Sequence, residues 1–113
     1  MDDCLFCKIA AGQIPANKLY EDDQVLAFYD IDPQAPVHFL VIPKAHIASP
    51  ARITAKNSVV VAHVFEVIAR LAGELGLENG YRVVTNCGAD GGQSVPHLHF
   101  HVLAKRSLAW PPG

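Results

Sequence analysis

Three histidines alternate with apolar residues near the end of the chain, in the segment His97–Leu103 (HLHFHVL). Successive side chains of a β-strand point to opposite faces, so the alternation predicts His97, His99 and His101 on one face. Imidazole is the commonest metal ligand, and a neutral imidazole can also act as a nucleophile or move protons. A single histidine in a strand is usually structural, but three in alternation favour a metal site or nucleophilic catalysis.

A glycine-containing segment, residues 86–96 (NCGADGGQSVP), lies directly before these histidines. The pair Gly91-Gly92 can turn neighbouring backbone N–H groups toward one point and so form a concave anion site. The hydroxyl of Ser94 both donates and accepts hydrogen bonds. A glycine pair alone is usually an ordinary hairpin turn, yet its place beside the histidines predicts a phosphate-binding loop that needs no Lys or Arg.

Cys4 and Cys7 form a C-x-x-C pair near the start of the chain. The chain has 3 cysteines, an odd and sparse set, so no disulfide framework is expected. The spacing alone leaves three interpretations open: a zinc site, a redox pair, or two small buried apolar residues. Cys87 has no neighbouring base in the sequence and is interpreted as structural.

The composition excludes several classes of protein. Nine Lys and Arg against eleven Asp and Glu give a formal charge of -2, so we expect no nucleic-acid partner. A membrane span needs roughly 18 or more consecutive apolar residues, and the sequence has no such run. The start of the chain lacks the basic residues and apolar stretch of a signal peptide, so we expect a cytoplasmic protein. A length of 113 residues predicts one domain over 1–113.

The strands that must position these residues follow from short apolar segments bounded by turn residues. They are predicted near 19–20 and over 25–29, 37–42, 81–85 and 97–103.

Two helices complete the prediction. A short one covers Cys4–Ala11, and apolar residues at i, i+3, i+4 spacing predict a long one over 55–75. Thr54 is the expected N-cap of the long helix and Gly76 its expected C′ residue. Antiparallel strands around one dominant helix indicate an α+β domain with a five-stranded sheet.

The sequence resembles the histidine triad (HIT) family, and within it the Hint branch of nucleotide-binding phosphoramidases. The His-φ-His-φ-His-φ-φ signature, φ being apolar, matches His97–Leu103 in full. Gly-Gly-Gln-Ser-Val at 91–95, the stretch Ile31–Lys44 and the terminal Trp110–Gly113 match the Hint branch as well. The resemblance implies a HIT-like fold, a homodimer, and hydrolysis of purine nucleoside 5′-phosphoramidates of the adenosine 5′-monophosphoramidase type.

The resemblance also implies catalytic roles. His99 matches the nucleophile that attacks the α-phosphorus to give a nucleotidyl-histidine. His101 matches the residue that binds a phosphate oxygen and assists the leaving group, and His38 a fourth histidine that hydrogen-bonds along the row and keeps the nucleophile's proton in place. Ser94 matches a residue that contacts the scissile phosphate and the leaving group.

Nucleotide binding is implied at a further set of positions. Asp30 matches the carboxylate that receives the ribose hydroxyls, and Asn86 an amide that contacts phosphate or sugar. The region of Gly92 and Gln93 is expected to supply backbone contacts. Phe28 and Ile31 are expected walls for a flat purine, whereas Leu40 is better interpreted as core. Trp110 is expected to reach the leaving-group side of the partner subunit's site.

In zinc-bearing members of the family the C-x-x-C pair binds one structural Zn²⁺ per chain. Here Cys4 and Cys7 would join His46 and His97 in a closed tetrahedral set. His63 is assigned no role and is expected to be a surface or boundary residue.

Two alternatives to a phosphoramidase remain at this stage. One is a dinucleoside polyphosphate hydrolase of the Fhit branch, against which the segment 91–95 and the terminal Trp-Pro-Pro-Gly argue. The other is a nucleotide-binding or scaffold module whose hydrolysis is incidental.

Overall fold

The computed structural model describes residues 3–113. The elements in chain order are α1 (Leu5–Ala10), β1 (Lys18–Glu21), β2 (Val25–Tyr29), β3 (Val37–Pro43), a 3₁₀ turn (Pro50–Arg52), α2 (Ser58–Glu74), β4 (Tyr81–Val84) and β5 (Phe100–Ala104).

The five strands form one sheet in the order β1-β2-β3-β5-β4, and all neighbours are antiparallel. The long connection through α2 therefore lets the last strand of the chain enter the sheet between β3 and β4. This arrangement, with one long and one short helix, confirms the predicted α+β class and five-stranded sheet.

The two helices contribute to separate hydrophobic clusters that together use both faces of the central strands. On the α2 side, Val64, Ile68 and Leu71 pack with residues such as Phe39 and Val41 of β3. The other cluster contains α1 residues together with Leu26, Phe28, Leu40 and Ile42. A strand that is buried on both faces has apolar residues at consecutive positions. This explains the sequences VLAF in β2 and FLVIP in β3.

The strand predicted over His97–Leu103 begins later, at Phe100. The N–H of Leu98 donates to the carbonyl of Ile47 at 2.6 Å instead of joining the sheet ladder. The backbone nevertheless keeps the expected alternation: Leu98, Phe100 and Val102 belong to the core under α2. The ring of Phe6 in α1 contacts His97 and His99, so these histidines lie on the α1 side.

The start predicted for α2 was wrong by one turn, whereas its end was predicted correctly. Thr54 caps a separate turn, in which its hydroxyl accepts the N–H of Lys56, and Asn57 occupies the N-cap position of α2. At the other end Gly76 has φ of 71°, which favours glycine. The Leu77 N–H donates to the carbonyl of Ala72 at 2.9 Å, the bond that closes a helix end of this type.

Within residues 3–113, no helix combines the length and the apolar character needed to cross a membrane.

His63, which was expected to be a surface residue without a role, links α2 to the β1–β2 turn. Its Nε2 lies 2.6 Å from Oδ2 of Asp22, and the same carboxylate accepts the hydroxyl of Tyr20 and the N–H groups of Gln24 and Val25. The hydrogen bond to Asp22 raises the pKa of His63. Burial acts to raise the pKa of Asp22, but these hydrogen bonds together hold it well below its ordinary value.

The His63–Asp22 pair predicts a pH-dependent contribution to stability. Because the pKa of His63 is raised in the folded protein, its pairing with Asp22 contributes its full stabilisation below the unfolded pKa of about 6.5. This contribution is lost as the pH rises through the folded pKa. The stability contributed by the ionised Asp22 is lost only as the pH falls below about 3.8, toward the lowered pKa of the folded protein. His63→Gln should therefore lower the free energy of unfolding by about 1 kcal/mol near pH 6, and by much less at pH 9.

Urea denaturation of both proteins at the two pH values measures this difference. Glu66→Gln is the matched control, because Glu66 is an exposed and more distant partner of His63, at 3.5 Å. A destabilisation by His63→Gln that is equal at pH 6 and pH 9 would contradict the ion-pair account.

Candidate functional site

The pairing of β3 with β5 brings two histidines together in the sheet. Leu40 pairs with His101 and His38 with Leu103, which makes His38 and His101 diagonal neighbours on one face. Nε2 of His38 lies 2.9 Å from Nδ1 of His101.

The hydrogen-bond network assigns the protons of these two rings. The backbone N–H of Gln34 donates to Nδ1 of His38 at 3.0 Å, so the His38 proton is on Nε2. This Nε2–H donates to Nδ1 of His101, and the remaining proton of a neutral His101 is then on Nε2. The chain of bonds leaves one N–H of His101 available as a donor.

His99 has the opposite arrangement. Its Nδ1–H donates to the carbonyl of His97 at 2.6 Å, so its Nε2 carries a lone pair. The centroids of the His99 and His101 rings are 5.0 Å apart. His38 bonds to His101 and not to His99, so the expected placement of the nucleophile's proton is performed by the His97 carbonyl. The site therefore combines an imidazole lone pair with a neighbouring imidazole donor.

Burial lowers the pKa of His101 to about 4, with smaller contributions from His99 and His38. Near neutral pH this ring is therefore uncharged, as the hydrogen-bond assignment requires.

Asp30 follows β2 directly and lies beside this pair. Its Oδ2 is 3.4 Å from Nε2 of His38 and 3.8 Å from Nδ1 of His101. Its Oδ1 accepts the backbone N–H of Asp32 at 2.8 Å. The three side chains also form a group that could hold a metal ion, but the His38–His101 hydrogen bond and the Asp30 carboxylate beside it account for the arrangement.

A cavity of about 310 Å³ opens beside the histidines. Most of its walls are apolar, as is usual for sites that bind small molecules. Its lining residues are Leu5, Phe6, Ile9, Phe28, Tyr29, Asp30, Ile31, Leu40, Ser94, Val95, His99 and His101.

The cavity gathers many of the residues predicted from the sequence, namely Phe28, Asp30, Ile31, Ser94, His99 and His101. Leu40, interpreted as core, both packs in the core and forms part of the wall. Asn86, Gly92, Gln93 and His38 lie outside the lining set. The three residues from α1 were not predicted at all.

The glycine segment, predicted to bind an anion, forms a tight turn. The N–H of Gly92 donates to the carbonyl of Ala89 at 3.1 Å, and the N–H of Gln93 to that of Gly88 at 3.0 Å. These two N–H groups are therefore bonded within the turn. Gly91 is required for packing, because a Cβ there would lie 2.6 Å from the carbonyl oxygen of Cys87.

The side chain of Gln93 fixes this turn to the rest of the protein. Its amide nitrogen donates to the carbonyls of Ala48 and Val95 at 2.8 and 3.0 Å, and its Oε1 accepts the N–H of Gly88 at 3.1 Å. The Gln93 side chain thus holds the segment that carries Ser94 into the cavity, a structural role that the sequence did not predict.

A second cluster lies at the other end of the histidine segment. Nδ1 of His97 is 3.3 Å from Sγ of Cys4 and 3.5 Å from Sγ of Cys7, and Nδ1 of His46 is 3.2 Å from Sγ of Cys7. All four ligand atoms lie within 4.8 Å of one another. These are the four residues predicted as metal ligands, and the structure brings them together.

The donor set fits a tetrahedral metal ion. Donors about 2.0–2.3 Å from a zinc ion in a tetrahedron lie roughly 3.3–3.8 Å from one another, close to the separations found here. Nε2–H of His97 donates to the carbonyl of Pro43 at 2.8 Å, which leaves the Nδ1 lone pair directed toward the thiols. Burial lowers the pKa of His97, so the ring is neutral and able to ligate.

The tail of the chain is held by Arg82, whose guanidinium donates to the carbonyls of Leu108 and Ala109 at 3.5 and 3.1 Å. Beyond these carbonyls Trp110 is 81% exposed and does not line the cavity of its own chain.

Comparison with known proteins agrees with this geometry. The family model described as the HIT domain matches residues 11–108. The chain belongs to the HIT domain family.

Individual relatives cover almost the whole chain. A HIT-like protein of Synechococcus elongatus is 51% identical over 112 residues, which are 99% of this chain and 98% of the relative. A crystal structure of a HIT family hydrolase from Legionella pneumophila is 49% identical, with a TM-score of 0.96 over 98% of this chain and 100% of that one. A histidine triad nucleotide-binding protein from Candida albicans is 34% identical, with a TM-score of 0.85 over 98% of this chain and 85% of its own.

The spacing of apolar residues in α1 of this HIT protein could have indicated that they share one face, but not that this face lines the cavity. Phe6 and Ile9 are spaced i, i+3 and so share one side of a helix, as Cys4 and Cys7 do. Which side would meet the histidines depends on where α1 lies against the sheet, and the periodicity does not determine that.

The bonds of Gln93 predict a structural role for its amide. Gln93→Ala should lower the free energy of unfolding by about 1–2 kcal/mol, because the partly buried carbonyls of Ala48 and Val95 lose their donor. Urea denaturation is the measurement. Gln34→Ala is the matched control, since the Gln34 amide makes an exposed bond to the Asp32 carbonyl, and a change below about 0.5 kcal/mol is expected there. Equal losses in both variants would show that Gln93 does not anchor the turn.

Proposed function

We propose that this HIT protein hydrolyses the P–N bond of purine nucleoside 5′-phosphoramidates, as adenosine 5′-monophosphoramidases do. The observation that carries the proposal is the hydrogen bond from Nδ1–H of His99 to the His97 carbonyl, which leaves the lone pair of Nε2 available in a residue that lines the cavity. The hydrolase named among the solved relatives supports an enzyme over a scaffold.

In the first step Nε2 of His99 forms a bond to the α-phosphorus, and the P–N bond of the substrate breaks. The leaving nitrogen takes up a proton from solvent, so a neutral amine departs. The Nε2–H of His101 donates to a phosphate oxygen and stabilises the charge that develops there. The product of this step is a nucleotidyl-His99.

In the second step water forms a bond to phosphorus and the bond to His99 breaks. The nucleoside monophosphate leaves and the water protons pass to solvent, which restores the neutral ring with its proton still on Nδ1. His38 keeps the His101 donor oriented throughout, since it occupies Nδ1 of that ring.

The remaining cavity residues suit the rest of a nucleotide. Asp30 lies where a carboxylate could accept two ribose hydroxyls, and the hydroxyl of Ser94 lies in the wall near the reacting phosphate. The apolar residues Phe28, Ile31 and Phe6 offer faces for a flat base. The nucleotide-binding relative from Candida albicans supports this class of ligand.

We propose further that Cys4, Cys7, His46 and His97 bind one structural Zn²⁺ per chain. A Cys₂His₂ set is closed, so the ion would add stability and would not take part in the reaction. The pair is suited to zinc in the cytoplasm, where thiols stay reduced.

A homodimer is the assembly that we propose. β4 lies at the end of the sheet, and no strand within residues 3–113 pairs with its outer side. Exposed apolar side chains occur on β4 (Tyr81) and on α2 (Phe65). Pairing of two copies along β4 would cover this edge. The exposed Trp110 of one copy would then meet the leaving-group side of the other copy's cavity.

Removal of the nucleophile should separate chemistry from binding. His99→Ala is expected to lower turnover of an adenosine phosphoramidate about a thousandfold or more while changing the Kd of AMP less than threefold. His63→Gln is the matched histidine control and should keep full turnover. A His99→Ala protein with a tenth of wild-type activity would exclude His99 as the nucleophile.

The same assay with diadenosine polyphosphates in place of the phosphoramidate distinguishes the reaction types. We expect the phosphoramidate to have the higher kcat/KM. Faster cleavage of the dinucleoside polyphosphate would favour a hydrolase of the Fhit type, and turnover of neither would favour a binding module.

The metal proposal predicts a stoichiometry and a stability. The purified protein should contain about one zinc per chain by mass spectrometry of the metal. Cys4→Ser with Cys7→Ser should lose the zinc and lower the Tm by roughly 8 °C or more, because the binding free energy of a structural ion contributes to folding. Cys87→Ser should keep the zinc content and the Tm of the wild type. A metal-free wild type with the Tm of the double variant would contradict the proposal.

Trp110→Ala tests the role of the tail. The ratio of kcat/KM for bulky aromatic amines to that for small amines should change several-fold, with the dimer intact by light scattering. Trp110→Phe should preserve most of the wild-type ratio. Identical ratios in wild type and Trp110→Ala would show that the tail does not shape the site.

A further inference from the structure

The short helix α1 carries residues of both clusters within its first two turns. Cys4 is the N-cap of α1 and Cys7 lies in its first turn. Leu5 and Phe6, which lie between the two cysteines, and Ile9 line the cavity. Two of the four metal-ligating side chains and one wall of the cavity therefore share a single element.

The side chain of Phe6 contacts residues of both clusters. Its ring lies edge-to-face against His97 of the metal cluster, with centroids 6.0 Å apart, and against His99 of the cavity at 5.0 Å. It also packs against Phe28, a wall of the cavity, at 5.6 Å. A shift of α1 would therefore move a surface that both His99 and a bound base contact.

The helix itself is too short to hold its position alone. It has 6 residues, and isolated helices of this length are unstable in water. Its position depends on the packing of Phe6 and Ile9 in the smaller hydrophobic cluster and on its two thiols. His97 is bonded to β3 through the Pro43 carbonyl. The segment of His46 is joined to that of His97 by the bond from the Leu98 N–H to the Ile47 carbonyl. A metal ion joining the four would fix α1 to the sheet.

We propose that metal binding at Cys4, Cys7, His46 and His97 and base binding in the cavity are positively coupled through α1, with Phe6 as the residue that transmits the effect. The ligand class, a purine nucleotide, rests on the proposed function. The metal orders the wall that the base contacts, so the loaded protein loses less conformational freedom when the nucleotide binds. The coupling is reciprocal: the nucleotide must raise the affinity for the metal by the factor by which the metal raises the affinity for the nucleotide.

The test begins with the zinc-loaded protein. The zinc affinity is measured by competition with a chromophoric chelator, with and without saturating AMP. AMP should raise the zinc affinity about fivefold or more. Ribose 5-phosphate, which has the same sugar and phosphate but no base to contact α1, should change the affinity less than twofold and controls for chelation by phosphate.

The reciprocal measurement is the Kd of AMP by calorimetry for loaded wild type and for His46→Ala, which removes a ligand without altering α1. The AMP affinity should fall by the same factor in His46→Ala, while far-ultraviolet circular dichroism stays that of the folded protein. Phe6→Leu should keep one zinc per chain but reduce the effect of AMP on zinc affinity below twofold. Cys87→Ser should retain the full wild-type effect.

The outcomes separate this coupling from the function on which it rests. AMP that binds the loaded protein but leaves the zinc affinity unchanged would overturn the coupling and leave the proposed function intact. A full effect retained in Phe6→Leu would overturn the role of Phe6. No binding of AMP to the loaded protein would overturn the proposed function and the coupling together.

Discussion

The antiparallel pairing of β3 with β5 is the constraint on which the site depends. Its register places His101 opposite Leu40 and leaves His38 as the diagonal neighbour of His101. Nε2 of His38 therefore lies 2.9 Å from Nδ1 of His101. Slipping the register by one residue would turn the imidazole of His101 into the hydrophobic core under α2. The apolar residues Phe100 and Val102, buried on that side, therefore fix the position of His101 as firmly as its own hydrogen bonds do.

His97 joins the two clusters of the molecule. Its side chain faces Cys4 and Cys7 and donates to the Pro43 carbonyl, while its own carbonyl accepts the proton of His99. A residue that is fully buried and bonded in three directions has little freedom to move. The orientation of His99 thus depends on the backbone of His97, whose side chain is fixed by its contacts with the two thiols and the Pro43 carbonyl.

Much of this arrangement could be predicted from local patterns. The alternation over 97–103 predicted the faces correctly although the ladder begins only at Phe100, because side-chain alternation needs extended backbone and not a paired strand. Cys4, Cys7, His46 and His97 were predicted as metal ligands by resemblance, and the structure brings the four side chains together.

Other features depend on tertiary contacts that no local pattern contains. The tight turn around the glycine pair uses the N–H groups of Gly92 and Gln93, and it is held by the Gln93 side chain through bonds to Ala48 and Val95. The N-cap predicted at Thr54 lies at Asn57, because Thr54 and Asn57 first form a separate turn. The contribution of Phe6 to the cavity required the position of α1 on the sheet. His63 gained a structural role only when the fold brought it to Asp22, 41 positions earlier in the chain.

The central claim is that the fold holds His99 with its proton on Nδ1 and its lone pair on Nε2. Long-range ¹H–¹⁵N correlation spectra of the histidine rings near neutral pH measure this directly, with His99 assigned by the signals lost in His99→Asn. The account predicts a protonated Nδ1 and an unprotonated Nε2 for His99, and the opposite tautomer for His38 and His97. A His99 ring protonated at Nε2 would contradict it, because no lone pair would then be available to attack phosphorus.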